Sequence, residues 1–193
     1  MIKRIVYLTL LVGLFFANNI NAQDIKIVEQ PKNVEAFVTL RNAIAVTPEG
    51  GAAMFLLALK IYVDNPKLGE QCFVISVDKS LLKEGEVYKA YKLANEDMDL
   101  IKRNIDNNKL IPNSYILGSS PENSYQVKLP YEYKFNVNLL GKAKDGTKVF
   151  VKSSGADNKR QLMVKKNNRN LWKVTTWSSV LINIKEPVED DDL

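Results

Sequence analysis

Glu122 and Asp157 each stand in turn-like sequence among hydrogen-bonding side chains, where a carboxylate could act as a general base. Around Glu122 lie Tyr115, Ser119, Ser120, Asn123 and Tyr125. They fall in or beside a stretch, 107–123, that carries Pro112, Gly118, Pro121 and the first residue of a second Asn-Ser-Tyr triplet. Around Asp157 lie Ser153, Ser154, Gly155 and Arg160. Hydroxyls, an amide and aromatic faces gathered on long connections suit a ligand site. The competing reading is turn chemistry, with Asn and Ser capping backbone groups, the tyrosines half buried, and Asp157 paired with Arg160 to fix a loop.

The residue types present exclude several mechanisms. The chain has no histidine and one cysteine, Cys72, so Ser-His-Asp and Cys-His catalysis and imidazole-based zinc sites are absent. No intramolecular disulfide is possible. Cys72 sits among Phe73, Val74 and Ile75, which points to a buried thiol. Glu96, Asp97 and Asp99 resemble a metal cluster, but acids at the amino end of a helix are stabilised by its dipole, and no calcium loop accompanies them. Neither a metal nor a cofactor is implied. An exported binding or interaction module fits this inventory best. A small hydrolase or isomerase using Glu122 or Asp157 as base is the alternative, and an envelope structural protein binding anionic polymers is a third.

Charge is unevenly placed. Between Gly141 and Lys185 eleven Lys/Arg residues face only Asp145 and Asp157, whereas Glu186 to Asp192 holds five acids and no base. Lys148, Lys152, Lys165, Lys166, Arg169 and Lys173 could form a face for polyanions, or be the solvated side of a sheet. A nucleic-acid partner is not expected. The partner is an unidentified small molecule or envelope protein, with an anionic polymer at the basic face as a further option.

The elements that must position these groups follow from periodicity and caps. Residues 1–22 read as a secretory signal: Lys3 and Arg4, an uncharged run from Ile5 to Ala17, and a small residue at Ala22. The product is expected to be exported, periplasmic or extracellular, with no transmembrane segment. Gln23 to Asn33 is an extended lead-in. A helix is predicted from Val34 to Ala45, and a second, buried one after Thr47-Pro48-Glu49, ending at Asp64-Asn65-Pro66. Gly50-Gly51 in its first turn signals close packing or a ligand near the amino end, packing being favoured. Gln71 to Val77 fits helix or strand, with helix preferred. A further helix follows Leu93, with Met98, Ile101 and Ile105 inward.

From Tyr131 the period becomes two, placing Tyr133, Phe135, Val137 and Leu139 on one face. Strands follow at Thr147–Lys152 and Gln161–Lys166, then a long strand from Leu171 to Ile184 bent near Ser178-Ser179. In a regular strand Trp172 and Trp177 face opposite ways. The predicted fold class is α+β: N-terminal helices packed on a C-terminal antiparallel four-stranded sheet. That order resembles the cone-shaped fold of nuclear-transport-factor-like domains, which implies a pocket between sheet and helices. One domain, 23–185, is followed by an acidic tail, 186–193.

The segments Thr47-Pro48-Glu49-Gly50-Gly51-Ala52, Ile111-Pro112-Asn113-Ser114-Tyr115, Ser120-Pro121-Glu122-Asn123-Ser124-Tyr125, Ser154-Gly155-Ala156-Asp157 and Trp177-Ser178-Ser179 occur in this order before Pro187. Together they resemble a family of uncharacterised exported bacterial proteins over about 47–193. That resemblance implies a single unit, a domain of unknown function, and assigns no catalytic residue.

Overall fold

The helices begin where side chains satisfy their free amides. In the computed structural model, which describes residues 24–143 and 146–189, Asn33 accepts from the Ala36 amide and opens α1 (Val34–Ile44). Thr47 accepts from the Gly50 amide and opens α2 (Pro48–Asp64), with Pro48 at its first position. Asn65 does the same for α3 (Pro66–Ser76), which settles the ambiguous Gln71 to Val77 segment as helix. The expected signal segment and the last four tail residues lie outside the described residues.

α2 is the spine of the domain. Every residue from Glu49 to Tyr62 is buried, and Phe55 meets Phe73 of α3 and the ring of Trp177 at centroid separations of 5.6 and 5.3 Å. Of the two charged residues in this run, Glu49 stands in the first turn, where the helix dipole favours an acid, and Lys60 pairs with Asp64 one turn on, at 2.7 Å. The glycine pair is a packing device. A Cβ on Gly50 would overlap the Ile44 carbonyl, and one on Gly51 would lie 2.7 Å from Trp172 Cβ and 2.8 Å from its carbonyl oxygen.

After α3 comes a hairpin that periodicity did not reveal, β2 (Leu82–Tyr88) with β3 (Tyr91–Leu93), so the first half is not all helical. Its tight turn places Lys89 and Ala90 at φ 48° and 63°, the primed-turn geometry that normally calls for Asn or Gly. α4 (Asn95–Asn107) follows, with Ile101 and Ile105 buried. The connection after α4 contains two short 3-10 turns, Pro112–Tyr115 and Pro121–Asn123.

The β-structure is not one sheet but three antiparallel ones. The lead-in supplies β1 (Ile25–Ile27), paired with β4 (Tyr131–Tyr133). The hairpin is the second. The largest runs β5 (Phe135–Ala143), β6 (Gly146–Val151), β7 (Arg160–Lys166), β8 (Trp172–Thr176), each paired with the next. The alternating stretch from Tyr131 thus divides at Lys134 between two sheets. The side chains of Val137 and Leu139 and the Asp145 turn lie outside the described residues. α2 packs against β6, β7 and β8.

β8 is shorter than expected because Trp177 leaves the extended region, at ψ 1°, and the chain makes a 3-10 turn over Ser178–Leu181. The turn buries Trp177 against Phe55, whereas Trp172 stays half buried beside Gly51. Residues after the turn then cross the polar loops: Lys185 N–H donates to the Gly155 carbonyl and Val188 N–H to that of Pro121. No helix among the described residues is long and apolar enough to cross a membrane.

Candidate functional site

The loop residues singled out in the sequence are tied into one another. Tyr115 and Tyr125 are buried, and their hydroxyls donate to the carbonyls of Val180 (2.9 Å) and Lys185 (2.7 Å). Ser119 donates to the Ile116 carbonyl and shares a hydrogen bond with Ser154 at 3.0 Å. Ser120 and Asn123 cap the 3-10 turn between them reciprocally, and Asn123 also donates to the Gly118 carbonyl. Asp157 pairs with Lys185 at 2.6 Å rather than with Arg160, which donates to the Asn183 carbonyl instead.

Glu122 and Asp157 are both exposed. A hydrogen bond from Ser120 holds the Glu122 carboxyl below its ordinary value, helped by the charge of Lys185, and the bond from Lys185 does the same for Asp157. Neither is tuned toward neutral pH as a general base would be. The hollow beside Tyr115, Ser119 and Ser154 measures about 110 Å³, room for a few waters.

A much larger cleft, about 680 Å³, opens elsewhere, within the size range of small-molecule sites. Four separate pieces of chain build it: α1, the end of α3, the β2–β3 hairpin and the β7–β8 turn. Val38, Val74, Val77, Leu82 and Leu171 supply apolar wall. Five cations also line it, Arg41, Lys79, Lys89, Arg169 and Lys173, against one acid, Asp78.

The cations differ in depth. Lys173 is only 7% exposed, and its ammonium donates to the Ile75 carbonyl in the last turn of α3. It lies on the Leu171 face of β8, so it is not part of a solvated basic face as its sequence position suggested; the neighbouring Lys165 and Lys166 are exposed. Arg41 is half buried, and its Nε is fully enclosed with no hydrogen-bond partner among the described residues. At the rim, Lys79 rests over the Tyr91 ring at 5.0 Å and Lys89 over Tyr88 at 5.5 Å. Asp78 is occupied in capping, accepting from the Ser80 amide and hydroxyl.

Burial pushes the Lys173 amine down from 10.5 to about 7; the charge of Arg41 adds to the shift and Asp78 opposes it. Such a group costs stability, because the folded state must give up a proton that the unfolded chain keeps. The fold therefore gains stability as pH rises from about 7 toward 10.5. Cys72 works oppositely. Its buried thiol is pushed up from 9.0 to about 12, which lowers stability with rising pH only above 9.0. Urea denaturation between about pH 6 and about pH 8.5 is expected to show the rise in wild type and its loss in Lys173→Met. An unchanged slope in the variant would show that Lys173 keeps an ordinary pKa.

Sequence reasoning placed Lys173 on a basic sheet face, for polyanions or for solvent. The local signal that distinguishes Lys173 is its phase: it shares a strand face with buried Leu171. Among the described residues no group of three or more Cys, Asp or Glu is placed to hold a metal ion.

A family model described as "Domain of unknown function (DUF6935)" matches residues 29–188, a span that includes both the cleft and the polar loops. No curated protein and no solved structure matches the chain.

Proposed function

We propose that this chain, which belongs to the DUF6935 family, is an exported binding module that holds an anionic small molecule in the cleft between α1, the end of α3, the hairpin and β8. The observation that carries the reading is that Arg41, whose enclosed Nε has no hydrogen-bond partner among the described residues, lines the same cleft as the buried Lys173. A buried amine beside another cation is costly, and an anion held in the cleft would relieve it. A group shifted by burial and a neighbouring charge inside a cleft is a candidate functional residue.

Export is part of the same proposal and rests on the residue pattern of 1–22. The cone-shaped, nuclear-transport-factor-like architecture is kept as a proposal too, supported by α2 lying across β6, β7 and β8. The polar loops around Ser119 to Tyr125 and Asp157 to Arg160 have a weaker claim as the ligand site, since most of their donors and acceptors serve internal bonds.

Native mass spectrometry of the chain purified gently from its own cells tests the reading. Wild type is expected to retain an added mass that Arg41→Gln loses. An added mass unaffected by that change, or none on adding millimolar inorganic phosphate, contradicts it.

A further inference from the structure

The depth at which the five cations stand says more about the ligand than its sign. Lys173 and the Arg41 Nε are enclosed, whereas Lys79, Lys89 and Arg169 are exposed at the mouth. The same lining carries aliphatic side chains, Val38, Val74, Val77 and Leu82 among them, beside the amides of Asn42, Asn167 and Asn168. Among the described residues lining the cleft Asp78 is the single acid, and its carboxylate already accepts from Ser80.

A ligand with one anionic group at the deep end would leave the three exposed rim cations without an anionic partner on the ligand. A single group at the rim would leave the buried pair unrelieved. An uncharged polar body, a sugar for example, would lay hydroxyls against the aliphatic wall without satisfying either cluster. The arrangement that answers both is a molecule with two anionic ends joined by a largely apolar or thin spacer.

We propose that the cleft recognises a two-headed anion, such as a bisphosphate or dicarboxylate, one head between Arg41 and Lys173 and the other at Lys79, Lys89 and Arg169. This rests on the cleft reading given above. The deep head provides most of the affinity, because its partners are desolvated; the rim head selects length and responds to salt. Arg41 offers a planar fork suited to a phosphate or carboxylate edge, and Lys173 a point charge beside it.

The test pairs two probes that share a body: hexylphosphonate, with one head, and hexane bisphosphonate, with two. Calorimetric titration of the full chain is expected to show the bisphosphonate binding about tenfold tighter. The double change Lys79→Gln, Arg169→Gln is expected to erase that advantage, so that the two probes bind with equal affinity. Arg41→Gln is expected to weaken both probes. Both substituted rim residues are exposed, so loss of fold does not confuse the result.

Equal affinities for the two probes, or an advantage that survives the rim changes, would overturn the two-headed ligand while leaving an anion site in place. Binding of neither probe, or binding indifferent to Arg41→Gln, would overturn the anion site itself and the two-headed ligand with it.

Discussion

Gly51→Val is expected to lose about 3 kcal/mol of folding stability, and Gly51→Ala about 2 kcal/mol, even though alanine improves helix propensity by about 1 kcal/mol. The reason is the absence of anywhere for the neighbour to go. The atoms a new Cβ would meet are the Cβ and backbone carbonyl of Trp172, and the Trp172 amide is itself held at 2.7 Å by the Ala45 carbonyl just before α2. Helix and strand are thus fixed to each other on both sides of the contact. Trp172→Ala keeps both clashing atoms and should not rescue Gly51→Ala. Urea denaturation of the single and double variants measures this, and full rescue by Trp172→Ala would show that the indole rather than the backbone limits the approach.

Arg41→Glu is expected to reduce anion affinity about a hundredfold, more than the neutral Arg41→Gln. The reversal places a carboxylate in the cavity that Lys173 lines, so the protein would carry its own substitute for the ligand. The Lys173 amine would then gain an opposite charge in place of the like charge that now depresses it, and its pKa would move back toward 10.5. Two readouts should change together: hexylphosphonate binding falls, and the rise of stability with pH above about 7 flattens. Lost binding with an unaltered pH slope would mean that Arg41 and Lys173 do not share a site.

Local chemistry made the helical half legible. Thr47-Pro48 and Asn65-Pro66 each combine a capping side chain with a proline at the first helical position, and both start helices where they stand. Gly50-Gly51 read correctly as close packing, although its partner, Trp172, lies far along the chain and no local pattern names it. The α+β class followed from the change of period near Tyr131. What failed was continuity. Alternation passes through Lys134 without a break, yet Tyr133 pairs with Ile25 and Phe135 with Val151, because the short lead-in captures the first three residues.

The candidate cleft was not legible, for physical reasons. Its hairpin turns through Lys89 and Ala90, residues that give no turn signal because positive φ costs them energy that the surrounding fold must supply. Arg41 and Lys173 are more than a hundred residues apart, and each has an ordinary local role, on a helix flank and on a strand. Only the meeting of α1, the end of α3 and β8 makes them neighbours. Conversely, the Ser, Asn and Tyr groups of the polar loops were legible as hydrogen-bonding residues but not as partners of the C-terminal strap, since Tyr125 bonds to Lys185 and Tyr115 to Val180 across the fold.

The most direct test of the cleft as an anion site is a pH titration of the lysine side-chain amines by NMR, with Lys173→Met to assign the signal, in the absence and presence of millimolar inorganic phosphate. One lysine is expected to titrate at about 7, to vanish from the spectrum of the variant, and to move upward when phosphate is added. A Lys173 signal that titrates with the other lysines, or one near 7 that phosphate leaves in place, would contradict the account.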